Sequence, residues 1–312
     1  MDIDAVQHSA QDEQVCWRNE QTCFLFICGA TCAIMPAEPS TMNTAFMNLL
    51  AMALYVSAGL LLWRDLRLGA RASGGARLGI FSLAAGALIL HAAVLYAGLL
   101  RDDALNLGLT NAVSLVAWVV ALIYLLSTIR RPIESLGVFI LPFAALTMLV
   151  EWLFPIGHRL ILNSTPLFSA HIVISLVAYS LMSIAVVQSL MLALQEKQLR
   201  SHHPGGILRS LPPLETMESL MFSMIGLGFL LLTLTLISGI FFSEAVFGKP
   251  LRFTHHILLS LIGWCVFGIL LLGRWRFGWR GRTALHWTLS GFVLLALGYF
   301  GSKFVLEVIL HR

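Results

Sequence analysis

The chain has 312 residues, 58% of them apolar and only 12% charged, with a net charge of +4 and a mean hydropathy of +0.84. Soluble domains run near about 45–50% apolar and about 25% charged, so this composition excludes an ordinary soluble domain. The small positive charge calls for no nucleic acid, because basic loops facing anionic lipid account for it.

Residues 1–43 differ in character from the rest, with Asp2, Asp4, Asp12, Glu13 and Glu20 and with Cys16, Cys23, Cys28 and Cys32. The cysteine spacing matches no zinc or haem-attachment pattern. FLFICGATCAIM is too short to cross a bilayer, and no basic segment precedes it as a signal peptide requires. The stretch reads as an upstream extension, with Met35, Met42 or Met47 as the beginning of a membrane domain over 44–312. The alternative is an outer segment carrying disulfides.

Apolar runs of membrane length then recur eight times, at about 44–63, 78–100, 111–129, 136–154, 168–194, 218–242, 256–273 and 285–309. Each is long enough to span a hydrocarbon core of about 30 Å at 1.5 Å per residue. None alternates with the period of two that a membrane barrel needs, so helices are the spanning solution. The expected fold is all-α, a polytopic bundle of eight transmembrane helices.

Lys and Arg concentrate in alternate loops: Arg64, Arg67, Arg71 and Arg77; Arg130 and Arg131; Lys197, Arg200 and Arg209; Arg274, Arg276, Arg280 and Arg282. Basic residues in short loops stay cytoplasmic, which directs both termini outward, to the periplasm of a bacterial inner membrane. The connections are short, so consecutive helices should be antiparallel neighbours. In the longest, QEKQLRSHHPGGILRSLPPLETM, Pro204, Gly205 and Gly206 break structure, and Pro212 and Pro213 stop any helix before Glu215 and Glu218 open the next. RASGGARLG has neither the spacing nor the preceding strand of a phosphate loop. No internal repeat is visible, and Glu151 and Glu307 lie near outer helix ends, which weighs against a transporter.

His91 and His171 are the histidines set inside apolar helical sequence away from loops. An ionisable group there is costly enough to be a functional candidate, and neutral imidazole is a common haem ligand. Ser175, Tyr179 and Ser183 follow His171 at successive i+4 positions, making a polar stripe that must face the bundle interior or a cavity. The plainer reading is hydrogen bonding to neighbouring helices. His91 shares a face with Ala84, Ala87 and Gly98, so close helix packing explains it almost as well as ligation. His255 and His256 are adjacent, about 100° apart on a helix, so both cannot aim at one iron; one could be a ligand, but the surface is the preferred assignment for the pair. His311 lies one residue from the C-terminus, where fraying is the rule. Trp63, Trp152, Trp275, Trp279 and Trp287 fall at expected interfaces and read as an aromatic belt. The mixture GRWRFGWRGRTAL reads as a lipid anchor rather than a propionate site.

Four segments in order, NAVSLVAW, AHIVISLVAYS, LPPLETMESLMFSMIGLGFLLLTLTLISGIFFSEAVFG and GWRGRTALHWTLSGFVLLALGYFG, resemble the cytochrome c assembly family, the haem-handling CcsA and CcmC type. The resemblance covers everything after the first 43 residues. It implies a b-type, non-covalently held and transient haem presented at the outer face, with His171 as an axial iron ligand and His91 or His311 as second candidates. It implies a binding and delivery protein rather than an enzyme, with the lipid bilayer, other cytochrome c biogenesis proteins or an apocytochrome as partners. The tryptophan-rich platform of the assembly members is missing, since that place reads GKPLRFTHHILL. A family histidine in the seventh helix is Leu272 here, and His311 matches the outer histidine after the last helix only with a one-residue offset. The chain is therefore similar to the shorter, YpjD/HemX-like branch. A permease lined by the polar stripe, and a haem-free scaffold or regulator, are the competing readings.

Overall fold

A computed structural model describes residues 39–68, 74–101, 104–106, 108–130, 133–155, 159–161, 166–200, 213–247 and 255–309. The expectations for the leader and its cysteines, for His311, and for residues 248–254 of the segment that replaces the platform lie outside them. The chain divides into two units, Met1–Thr41 and Met42–Arg312. The first is described only where α1 begins, and the second contains the membrane-length helices.

In order these are α1 (Pro39–Leu68), α2 (Gly74–Leu99), strands β1 (Leu100–Arg101) and β2 (Ala104–Asn106), α3 (Leu109–Arg130), a 3₁₀ turn (Glu134–Leu136), α4 (Gly137–Leu153), β3 (Arg159–Ile161), α5 (Pro166–Arg200), α6 (Leu214–Phe247), α7 (His255–Phe277) and α8 (Gly281–Ala296). The chain continues from α8 into two π-helical turns, Leu297–Gly301 and Phe304–Ile309. Among the described residues eight helices are long and apolar enough to cross a membrane, as the hydropathy pattern predicts. Their ends run past the apolar runs, because the polar residues Gln195–Arg200 and Leu214–Met217 extend α5 and α6 beyond the hydrocarbon zone. The strands form a small antiparallel sheet, β2 central, with Leu105 opposite both Leu100 and Leu160. It ties the α2–α3 connection to the α4–α5 connection, on the side opposite the arginine-rich loops.

Two packed groups make up the interior. The first joins α1 to α4 with the lower half of α5, around Tyr55, Tyr124, Leu136, Leu141 and Met148. The second joins α5, α6, α7 and α8 around Met182, Met221, Ile225, Phe267, Leu270 and Leu295. In lipid the hydrophobic effect gives no preference for helix contact over lipid contact, so close packing by small residues has to supply the association. A Cβ on Gly59 would come within 2.9 Å of the Pro142 ring, which lets α1 lie against α4. A Cβ on Gly291 would sit 2.8 Å from Phe267, and one on Gly263 would meet Leu295 at 2.8 Å, so α7 and α8 interlock glycine against side chain in both directions.

In the second group α5 packs on α6, α6 on α7, α7 on α8 and α8 on α5, while neither diagonal pair shares an extended contact. The four helices thus close a ring, with α5 and α7 across one diagonal. On the arginine-rich side a clasp holds three of them. Arg274 donates to Glu218 Oε1 at 2.6 Å and to the Trp279 carbonyl at 3.3 Å, and its guanidinium lies 4.6 Å from the centre of the Phe222 ring. Gly278 and Gly281 adopt positive φ in the tight α7–α8 turn, where a side chain would be strained. That reversal folds Trp279 back over Gly273 and against Trp287, with ring centres 5.3 Å apart. Trp63, Trp152 and Trp275 are exposed, as an aromatic belt requires, whereas Trp279 and Trp287 pack inward instead.

Candidate functional site

The two intramembrane histidines occupy different groups. His91, on α2, is completely buried. Its Nδ1 lies 3.4 Å from the Tyr55 hydroxyl of α1 and its Nε2 lies 3.0 Å from Ser114 Oγ of α3. Tyr55, His91 and Ser114 thus form one polar chain through α1, α2 and α3. Both ring nitrogens are therefore spoken for, and Ala84 and Ala87 on the same face of α2 are buried in the core. Glu151 of α4, near its outer end, is partly exposed and stands 3.7 Å from where a Cβ on Gly98 of α2 would be.

His171 stands in the second turn of α5, half-buried, at the end of the ring opposite the arginine clasp. Its Nδ1 lies 2.7 Å from Ser238 Oγ of α6. The Ser238 hydroxyl donates its one hydrogen to the Thr235 carbonyl at 3.0 Å. The contact with Ser238 orients the His171 ring against α6. A Cβ on Gly239 would lie 3.5 Å from His171 Cε1, so the small residue after Ser238 makes room for the ring. An imidazole oriented through one nitrogen by a hydrogen bond is the arrangement that metal-ligating histidines adopt.

The polar stripe behaves differently along its length. Ser175 and Ser183 turn back onto the carbonyls of their own helix, Ser175 to His171 and Ser183 to Tyr179, both at 2.8 Å. Tyr179 crosses the ring and donates to the Leu295 carbonyl of α8 at 3.0 Å. Its ring meets Tyr299 at 5.9 Å and Phe300 at 6.1 Å between centres, and Lys303 Nζ stands 5.7 Å from the centre of the Tyr299 ring. Tyr179, Tyr299 and Phe300 thus form an aromatic cluster about two turns along α5 from His171, with a cation beside it.

His256 is exposed, as its surface assignment expects, yet it stands in line with the buried face of α7. Its ring packs edge-on against Tyr299 at 6.1 Å. That alignment was available in the spacing. Ser260, Gly263, Phe267 and Leu270 form the buried face of α7, and His256 lies four residues before Ser260 on that line. His255, one position back, is rotated off it. Of the positions marked by the sequence, His91 and His171 are held by separate sets of partners, and Leu272 is exposed on the outside of α7.

The profile of the cytochrome C assembly protein family matches residues 80–310. The inner membrane protein YpjD of Escherichia coli is 33% identical over 238 residues, which is 76% of this chain and 89% of that protein. Protein HemX of Brevibacillus brevis is 27% identical over 138 residues, 44% of this chain and 51% of that protein. The cytochrome c biogenesis protein CcsA of Gloeobacter violaceus is 32% identical over 103 residues, 33% of this chain and 30% of that protein.

Proposed function

The chain belongs to the cytochrome c assembly family, and from that premise we propose that it binds haem non-covalently at the outer end of the α5–α8 ring. His171 is an axial ligand to the iron, and the protein holds and hands on the cofactor without making or breaking its bonds. The supporting observation is the His171–Ser238–Thr235 chain, which fixes the half-buried imidazole at the outer end of the ring.

The residues present fit that group. Among the described residues no three His, Cys, Asp or Glu side chains gather to cage a bare ion. Tyr179, Tyr299 and Phe300 offer apolar faces to a flat macrocycle, and Lys303 places positive charge at the same end. When bound, haem supplies the iron and its redox chemistry; the chain supplies orientation and a water-poor wall. His91 supports the first group as a hydrogen-bonded strut. The setting is a bacterial inner membrane, the location carried in the name of the Escherichia coli relative, with the arginine-rich loops cytoplasmic and both termini outward. The recipients are other cytochrome c biogenesis proteins or an apocytochrome.

The test is an absorbance spectrum of the full-length protein purified from haem-replete cells. A Soret band that is abolished in His171→Ala, with helical content unchanged, supports the reading. A colourless wild-type protein sinks it, and a band lost only in His91→Ala moves the site to the first group.

A further inference from the structure

Resting on that reading, we infer that His256 is the second axial ligand, so that iron is gripped from α5 on one side and α7 on the other. The resemblance pointed instead to His311 or His91.

Three observations carry this assignment. First, α5 and α7 are diagonal partners in a closed ring and share no extended contact, so residues on their core faces meet across the interior rather than at a helix seam. Second, both histidines stand in line with those core faces at the same end, His171 half-buried and His256 exposed at the rim. His171 precedes Ala178, Met182 and Ala185, all fully buried, at intervals of seven, eleven and fourteen residues, which return to one side of a helix. His256 precedes Ser260, Gly263, Phe267 and Leu270 at intervals of four, seven, eleven and fourteen. Both helices begin at this end and run toward the arginine clasp.

Third, the side chains just inside the pair already bridge the diagonal. The Tyr179 hydroxyl donates to the Leu295 carbonyl of α8, and a Cβ on Gly298, three residues on, would lie 3.3 Å from Ser260 Oγ of α7, so the end of α8 links α5 to α7. Tyr299 contacts both Tyr179 and His256 and so fills the angle between the two helices. Below them Met182, Phe267 and Leu295 close the ring with apolar packing. The pair therefore stands over a floor, and Ser238 holds one of its rings in register. A macrocycle held from both sides needs two imidazoles on opposing walls; a helix seam supplies one wall only.

The spectrum of the purified full-length protein loaded with haemin tests this assignment. The wild type should show the low-spin bands of a six-coordinate bis-histidine haem. His256→Ala should lose the low-spin bands, and added imidazole should restore them. Total loss of haem in His256→Ala also supports the assignment if imidazole restores binding, and counts against it if imidazole does not. Unchanged low-spin bands in His256→Ala overturn it, as does a change of spin state in His311→Ala or His91→Ala alone. A wild-type protein that takes up no haem overturns the haem reading together with this inference. A second measurement is independent of haem. In a background whose native cysteines are replaced by serine, His171→Cys with His256→Cys should be joined by a short bifunctional thiol reagent in membranes. Failure to join them overturns the facing geometry whatever the spectrum shows.

Discussion

His91 and His171 are the same residue type in similarly apolar helices, and the structure gives them opposite circumstances. His91 sits in a sealed interior, with a hydroxyl at each ring nitrogen and helices on every side. His171 sits at the rim of a ring, with one nitrogen fixed by Ser238 and its ring half-buried. The cost of placing an imidazole in a membrane is met in the first case by enclosure and hydrogen bonding. In the second it is met by the Ser238 hydroxyl and a place at the rim. An intramembrane histidine is therefore informative only once its partners are counted.

The largest expected effect breaks the comparison outright if it fails. His171→Ala should abolish the Soret band while the thermal midpoint in detergent stays near that of the wild type; a retained band would make the two histidines equivalent. His91→Ala should do the reverse. It orphans Tyr55 and Ser114 in a dry interior, at about 2–3 kcal/mol for the unsatisfied groups, and should lower the thermal midpoint while haem is retained. Ser238→Ala removes the orientation of His171 without removing the ligand. A loss of about tenfold in haem affinity is expected from such a supporting group, measured by competitive haem transfer. Smallest is Arg77→Ala, which breaks the 2.5 Å pair with Glu134 between two half-exposed side chains on the arginine-rich side. Its cost should stay below about 1 kcal/mol and leave the spectrum untouched.

The eight helices were legible because span length and apolar content are properties of single segments, and the polar stripe of α5 was legible because i+4 spacing is local. His171 could be marked on those grounds. Ser238 could not, since a serine in a Thr/Ser-containing apolar helix gives no sign that it will meet a histidine 67 positions earlier. The alignment of His256 with the core face of α7 was passed over because adjacency to His255 was weighed and the spacing was not. The ring closure of α5 to α8 is a set of long-range contacts, and no window of sequence encodes them. Trp279 shows the same limit: two positive-φ glycines turned an interfacial residue into a packed one.

The Glu218–Arg274–Trp279 clasp has a mechanical consequence. It pins α6 and α7 to the α7–α8 turn at one end of the ring, opposite the end where His171 and His256 stand. Any widening for entry or exit is then a pivot about Arg274. His256 lies 18 residues away along α7, a lever of about 27 Å at 1.5 Å per residue. Each degree of tilt sweeps His256 through about 0.5 Å, so a few degrees at the fulcrum separate the two imidazoles by more than a bond length.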